Sequence, residues 1–257
     1  MNNELVTVII PTYNRFNFIK NSIKSVIEQT YQNIEIIVVN DCSTQPEYYT
    51  FDWKKKFGDK FYILHLPRNS KDIFGFPSPG GHARNMGMMI AKGEYIAFLD
   101  DDDYFLPTKI ETQIKMMKQY NCKLSCTESV VGNGIYDKNK QYSNYCYKGM
   151  LWRKIIRTIK KIGGWTLICK MYENDVNVWD KICLQANFTA GGSTMIIKKE
   201  LIKQAGYFPI MSYMDDWEYW KELIKHSNMV YIKTPLAYID LGHGSGINYN
   251  RSEIIIN

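Results

Sequence analysis

Several common signatures are missing from these 257 residues. The six cysteines (Cys42, Cys122, Cys126, Cys146, Cys169 and Cys183) form no CxxC pair, which argues against a zinc knuckle and a thioredoxin-type motif. No run approaches the ~18 apolar residues that a bilayer span needs. The opening MNNELVTVIIPTYNR has no basic stretch leading into a long apolar one, so no secretory leader is expected. There is no internal repeat, and no glycine in PTYNRF, the segment that follows the first apolar run. These absences predict a cytoplasmic protein of a reducing compartment, with free thiols.

What is present is globular: 45% hydrophobic and 23% charged residues. The length suits one large domain, or two small ones around a cleft. Net charge is modest at +6, from 32 basic and 26 acidic residues. It fits solvated surface lysines, an anionic substrate or an anionic membrane surface. Nucleic acid is not an expected partner, because the basic residues are not interleaved with a reading motif.

In the first half, short β-branched runs at 5–11, 34–39, 61–66 and 94–99 alternate with helical periodicity at 17–30, 46–57, 80–92 and from Pro107 onward. Pro11 is expected to end the first run, since proline cannot donate to a ladder. This alternation predicts βαβ units and a mostly parallel sheet, whose ligands bind beyond the carboxyl ends of the strands. Polar clusters stand at three of those ends: Thr12-Tyr13-Asn14-Arg15, Asn40-Asp41, and Asp100 to Asp103.

On a strand, side chains alternate, so Asp100 and Asp102 should face one way and Asp101 and Asp103 the other. Gathered carboxylates repel unless a cation neutralises them, and all-oxygen ligands suit Mg2+ or Mn2+. The plainer alternative is an acidic first turn for the helix that Pro107 opens. Asp41 alternatively forms an Asx turn. Tyr13 has a face for stacking on a base, and Arg15 and Arg84 have forks for phosphate oxygens.

The second half is less regular. Residues 133–148 read as a loop or hairpin, 194–197 as a strand, and 199–205 as a helix closed by Gly206. Residues 215–226 read as a helix with Trp217, Trp220, Leu223 and Ile224 inward, and the tail 254–257 as frayed. Between Lys148 and Lys170 stand Arg153, Lys154, Arg157, Lys160 and Lys161 with no acid, and Trp152, Ile155, Ile156, Ile159 and Ile162 recur at near-helical spacing. This predicts a basic amphipathic helix, ended at Gly163-Gly164. It either lies on an anionic bilayer or packs as a lid over a cleft.

Four segments resemble the inverting glycosyltransferases of family 2, which have the GT-A fold: PTYNR at 11–15, EIIVVNDCST at 35–44, GHARNMGMMIAKGEYIAFLDDDD at 81–103 and DDWEYW at 215–220. They arrive in the family's order, and the resemblance covers roughly residues 5–240. It implies an α/β, Rossmann-like, mostly parallel sheet with flanking helices. Residues 1–125 would form the nucleotide-sugar-binding half. Residues 126–257 would form a smaller acceptor-binding half that includes the basic segment 148–170.

The resemblance also assigns roles. Pro11, Thr12, Tyr13 and Arg15 stand on the nucleotide side, and Asp41 hydrogen-bonds the uracil edge. Arg84 and Asn85 line the donor pocket, Asp100 meets the ribose with Asp101 beside it, and Asp102 holds the metal on the diphosphate. Asp216 is the general base. Asp215 is its runner-up, since adjacent helical residues point about 100° apart. Gly192, Ser193, Asp215 and Trp217 border the acceptor, and His243 contacts metal or diphosphate. Two positions depart from the family pattern: Asn40 replaces a frequent Asp, and Asp240 occupies the usual place of an arginine.

The implied reaction moves a sugar from a nucleotide-sugar, in particular a UDP-sugar, to an acceptor hydroxyl with inversion and with Mn2+ or Mg2+. The acceptor would be a glycan or a lipid-linked one, with peripheral membrane contact through 148–170. The alternatives are a nucleotidyltransferase, disfavoured by the glycine-free PTYNRF, and a non-catalytic nucleotide-sugar-binding module, disfavoured by the intact Asp102 and Asp216.

Overall fold

The computed structural model describes residues 4–76, 80–150, 152–161, 174–179 and 191–243. The helix stop expected at Gly163-Gly164, Lys170 and the tail 254–257 lie outside them.

Strands β1 (Val6–Thr12), β2 (Ile34–Asn40), β3 (Phe61–His65) and β4 (Tyr95–Phe98) pair in parallel in the order β3-β2-β1-β4. Every residue of β1 and β2 is buried, as expected of β-branched strands covered on both faces. The covering helices are α1 (Phe16–Ile27), α2 (Glu47–Thr50), α3 (Trp53–Phe57), α4 (Ser70–Phe74), α5 (Gly81–Ile90) and α6 (Lys109–Gln119). The single helix expected over 46–57 is two short ones. Phe51 is extended, and the Asp52 side chain accepts from Lys55 N to start the second helix.

Pro11 does not end β1, which continues to Thr12 in register with Asn40. In a parallel ladder a residue's N–H and C=O point the same way. Ile9 O faces β4 and accepts from Leu99 N at 3.1 Å, so Pro11, two residues on, faces that side too. There β4 has already ended, and the missing donor removes no ladder bond.

From β1 the chain runs outward to β2 and β3, then returns to the opposite side of β1 as β4. This reversal makes a topological switch point, where a crevice opens at the carboxyl ends of β1 and β4. Thr12 and the four aspartates border that crevice.

After β4 the chain adds β5 (Tyr104–Phe105), β6 (Leu124–Gly132), β7 (Ser143–Asn144), β8 (Val176–Trp179), β9 (Ile196–Lys198) and β10 (Met229–Asp240) to the same sheet. β9 lies antiparallel between β4 and β6, and β10 runs parallel to β6. Among the described residues the sheet has ten strands, and it is mixed beyond the parallel set β3-β2-β1-β4. The hairpin expected over 133–148 closes as β7 returns on β6.

Helices α7 (Trp152–Lys161), α8 (Ile202–Ala205) and α9 (Asp215–Leu223) complete the described elements. On α9, Tyr219, Trp220 and Leu223 are buried, whereas Trp217, expected to point inward, is half-buried. On α7, Ile155 and Ile159 join the main core, and Arg153, Lys154, Arg157, Lys160 and Lys161 remain exposed. The apolar side is thus consumed by protein packing, which favours the packing-helix reading over insertion into a bilayer. Among the described residues, no helix is long and apolar enough to cross a membrane.

Gly93 joins α5 to β4. Its N–H donates to Thr7 Oγ1, and a Cβ there would stand 2.5 Å from Thr7 N and 2.8 Å from Leu5 O. Since strand backbone cannot yield as a flexible side chain can, Gly93→Ala should destabilise by about 1–3 kcal/mol. Urea unfolding checks this, and an unshifted midpoint would mean that the β1–β4 junction relaxes freely.

Candidate active site

The residues 100–103 leave β4 as a turn, so strand alternation does not govern them. Asp101 and Asp102, expected on opposite faces, both bind one cation: Arg15 Nη1 lies 3.1 Å from Asp101 Oδ1 and 2.9 Å from Asp102 Oδ2. Asp100 binds another, with Arg84 Nη2 at 2.5 Å from its Oδ1. Asp103 is buried and accepts from Ser193 Oγ at 2.5 Å and from Asp240 N at 2.9 Å. Two arginines from the chain thus supply positive charge beside three of these carboxylates.

Helix starts hold both arginines. Arg15 precedes α1, and its backbone N–H donates to Tyr48 Oη at 3.0 Å. Asn14 before it has φ of 53°, and its Oδ1 accepts from Thr44 N at 2.8 Å, which tilts the chain toward the acids. Burial opposes charge on Arg15, but Asp101 and Asp102 outweigh it and keep it protonated. Arg84 lies in the first turn of α5, only 5% exposed, with Nη1 3.9 Å from Asp215 Oδ2.

The carboxyls respond to burial. Asp102 is pushed up to about 8, first by burial and then by Asp101, with Arg15 acting against the rise. Asp101 and Asp103 are also raised, in each case chiefly by burial.

At the other side of Arg84 stands the start of α9. Asp215 is buried and accepts from the Gly81 and Asp216 backbone N–H groups. A Cβ at Gly81 would overlap Asp215 Oδ2, so only glycine lets α5 come this close. Asp216 is half-buried and is raised to about 6 by burial, with Arg84 opposing. Of the adjacent pair, Asp215 is thus the buried anchor beside Gly81 and Arg84, and Asp216 is the more exposed carboxylate.

Other expected residues are placed differently. Asn85 Nδ2 donates to Phe208 O, and its Oδ1 accepts from Phe208 N, both at 2.9 Å, so its amide holds the chain rather than a donor. Ser193, expected beside the acceptor, is fully buried and bridges Asp100 N and Asp103. Gly192, next to it, is also buried. Trp217 N donates to Asp216 Oδ1 at 2.8 Å.

Thr12 Oγ1 bonds Asp101 Oδ2 at 2.7 Å and Tyr48 Oη at 2.6 Å. Tyr13 is half-buried. The Asp41 carboxylate accepts from Ser70 N at 3.0 Å and Ser70 Oγ at 2.9 Å, bracing the start of α4. Asn40 is buried and accepts from Ser43 N, shaping the loop that follows.

His243 Nδ1 lies 2.7 Å from Asp240 Oδ2, and its ring packs on Phe18. Among the described residues, no three His, Cys, Asp or Glu side chains converge as a metal cage. A buried, charge-strained Asp102 in an oxygen-rich crevice nonetheless fits a Mg2+ or Mn2+ that takes one or two protein carboxylates and completes its shell from substrate phosphates and water.

Sequence reasoning missed three contributors. Tyr48 has no motif signal, yet its hydroxyl ties Thr12 to Arg15. Glu128 is fully buried and accepts from Ser129 N, Cys146 N, Tyr147 N and Tyr231 Oη, fixing the hairpin after β6. A lone acid inside SCTESVVG was its signal. That hairpin carries Tyr145, whose hydroxyl is raised by burial and then by nearby charges that include Asp216 and Asp103.

The family model described as "Glycosyl transferase family 2" matches residues 7–172. An uncharacterized glycosyltransferase of Rickettsia bellii is 30% identical over 243 residues, 90% of this chain and 33% of that protein. The UDP-Glc:alpha-D-GlcNAc-diphosphoundecaprenol beta-1,3-glucosyltransferase WfaP of Escherichia coli is 43% identical over 115 residues, 45% of this chain and 42% of that protein. The chain thus spans a third to under half of the length of these relatives.

Among solved structures, S. aureus TarS 1–349 in complex with UDP-GlcNAc superposes with a TM-score of 0.69 at 18% identity, over 95% of this chain and 60% of that one. The mannosyltransferase PcManGT of Pyrobaculum calidifontis, in complex with GDP-Man and Mn2+, gives 0.63 at 15% identity, over 93% and 57%. These likenesses show the fold, the GT-A arrangement.

Arg84→Gln should strip the charge that balances Asp100, Asp215 and Asp216. Losing one partner of a buried ion pair costs about 3–5 kcal/mol. Chemical denaturation at pH 7.5 reads this directly, and a loss within error would mean that water already screens the cluster.

Proposed function

The chain belongs to glycosyl transferase family 2, and from that membership we propose that it transfers a sugar from a nucleotide-sugar to an acceptor hydroxyl with inversion at the anomeric carbon. The observation that carries this reading is the gathering, at one switch point of one sheet, of Asp100, Asp101 and Asp102 from the turn after β4 with Asp216 from α9: Arg15 binds Asp101 and Asp102, while Arg84 binds Asp100 and acts electrostatically on Asp216. Residues 1–125 form the donor half, and the second half receives the acceptor.

The donor is a UDP-sugar by similarity to WfaP, whose name gives UDP-Glc as its donor. Its base lies against Asp41 and Tyr13, and its ribose against Asp100. WfaP also acts on a diphosphoundecaprenol-linked acceptor, which supports a glycan or lipid-linked acceptor here. Peripheral membrane contact then falls to the exposed basic side of α7, by charge rather than by insertion. Mn2+ or Mg2+, held by Asp102 with His243 nearby, would neutralise charge growing on the departing nucleoside diphosphate.

The chain's own chemistry centres on Asp216. An acceptor hydroxyl is a weak nucleophile, and a carboxylate within hydrogen-bond reach removes its proton as it attacks. Attack from the face opposite the diphosphate inverts the centre without a covalent intermediate. Burial lifts Asp216 to about 6, which makes it a stronger base than an exposed Asp, and Arg84 keeps it ionised at neutral pH. Arg84 thus acts as a positioning residue between donor and base.

Three experiments test the assignments. Since the base works only when ionised, the transfer rate with a UDP-sugar should rise with pH through about 6 and then level off. Asp216→Asn should keep donor binding and lose transfer by roughly 10²–10⁴-fold. Normal turnover by that variant removes Asp216 from the role. Asp102→Ala should abolish the Mn2+-dependent thermal shift that UDP produces, and a retained shift would move the metal ligand elsewhere.

A further inference from the structure

Arg15 takes up an oxygen of Asp102, the carboxylate that the donor-site reading assigns to a divalent ion. Its Nη1 bridges Asp101 and Asp102, and its Nη2 donates to the His243 carbonyl. Both carboxylates are almost fully buried, with side-chain exposures of 6% and 4%, while the Arg15 side chain is 21% exposed. The backbone beneath it is fixed: Arg15 O accepts from Phe18 N and Ile19 N at the start of α1, and Arg15 N donates to Tyr48 Oη. The guanidinium is thus a solvent-touching head on an anchored base, clasping buried acids.

We infer that Arg15 is a resident cation that holds the metal seat in the donor-free protein and gives it up when metal and diphosphate arrive together, moving its fork onto the diphosphate oxygens. This rests on the donor-site reading above. Two cations cannot share one Asp102 oxygen face without repulsion, so an ion alone must displace Arg15 into water against the pull of Asp101 and Asp102. A diphosphate removes that obstacle. It offers the displaced planar guanidinium an anionic partner that can accept two parallel hydrogen bonds, which suits arginine better than lysine. The metal and the nucleotide therefore bind with positive coupling, and Arg15 carries part of it.

The roles expected of Arg15 and Asp102 belong to two states of one site. Arg15 on the carboxylates is the resting state, and Arg15 on phosphate is the loaded one. Thr12 Oγ1 donates to Asp101 Oδ2, a hydrogen bond that does not depend on Arg15.

The test measures Mn2+ binding by the electron paramagnetic resonance of the free ion, with and without UDP, for the wild type, Arg15→Gln and Arg15→Lys, each checked for folding by circular dichroism. Removing the competing charge should tighten Mn2+ binding without UDP by ~10-fold in Arg15→Gln and shrink the gain that UDP brings. Arg15→Lys keeps the competing charge, so its Mn2+ binding without UDP stays near the wild type, while the missing fork weakens UDP binding in the presence of Mn2+. If the wild type shows the coupling and Arg15→Gln matches it in both measurements, the inference is overturned and the donor site stands. If the wild type binds neither Mn2+ nor UDP, the donor-site reading itself falls. Should Arg15→Gln not fold, unchanged UDP binding by Arg15→Lys overturns the inference by itself.

Discussion

Buried negative charge has to be balanced before anything else in this molecule can be arranged. A run of four aspartates leaves the end of a fully buried strand, and burial, with the repulsion of neighbouring carboxylates, lifts three of them above the ordinary carboxylate range. Two arginines from the starts of two different helices supply the balance. α1 must therefore begin beside the acids, and α5 must begin against Asp215. Asn14 in a left-handed turn and Gly81 without a side chain are the local solutions to those two demands. The site is thus the electrostatic condition under which the β1–β4 crevice can be closed with acids inside it.

Much of this was readable from residue order. Runs such as IEIIVV allow little but a covered strand, and the polar clusters behind them had to meet once the strands were parallel neighbours. What escaped reading follows from geometry that a linear pattern does not carry. Pro11 stays in its strand because the partner on its open side has already stopped. The aspartates do not alternate because the strand ends at Phe98, before them. Asn85 and Ser193 lie in segments that resemble binding motifs, yet their polar atoms are spent on Phe208, Asp100 and Asp103.

β6 was missed for another reason. Thr127, Glu128 and Ser129 interrupt the apolar run of β6 and look like loop chemistry, although all three are buried. Their burial is tolerated because Glu128 serves as a hub for the hairpin behind them. A polar core strand of this kind is legible only when the groups that satisfy it, scattered from Ser129 to Tyr231, are known in space.

The amide of Asn85 has a wider meaning. Its two hydrogen bonds tie α5 to Phe208, across 123 positions of sequence, a few residues ahead of Asp216. The carboxylate proposed to take the proton is thereby gauged against the helix that carries Arg84, and not against the loops around it. Those loops, with Tyr207, Met211 and Tyr213 largely open to solvent, can be rewritten by evolution to greet new acceptors while the reach from base to leaving group stays as it was.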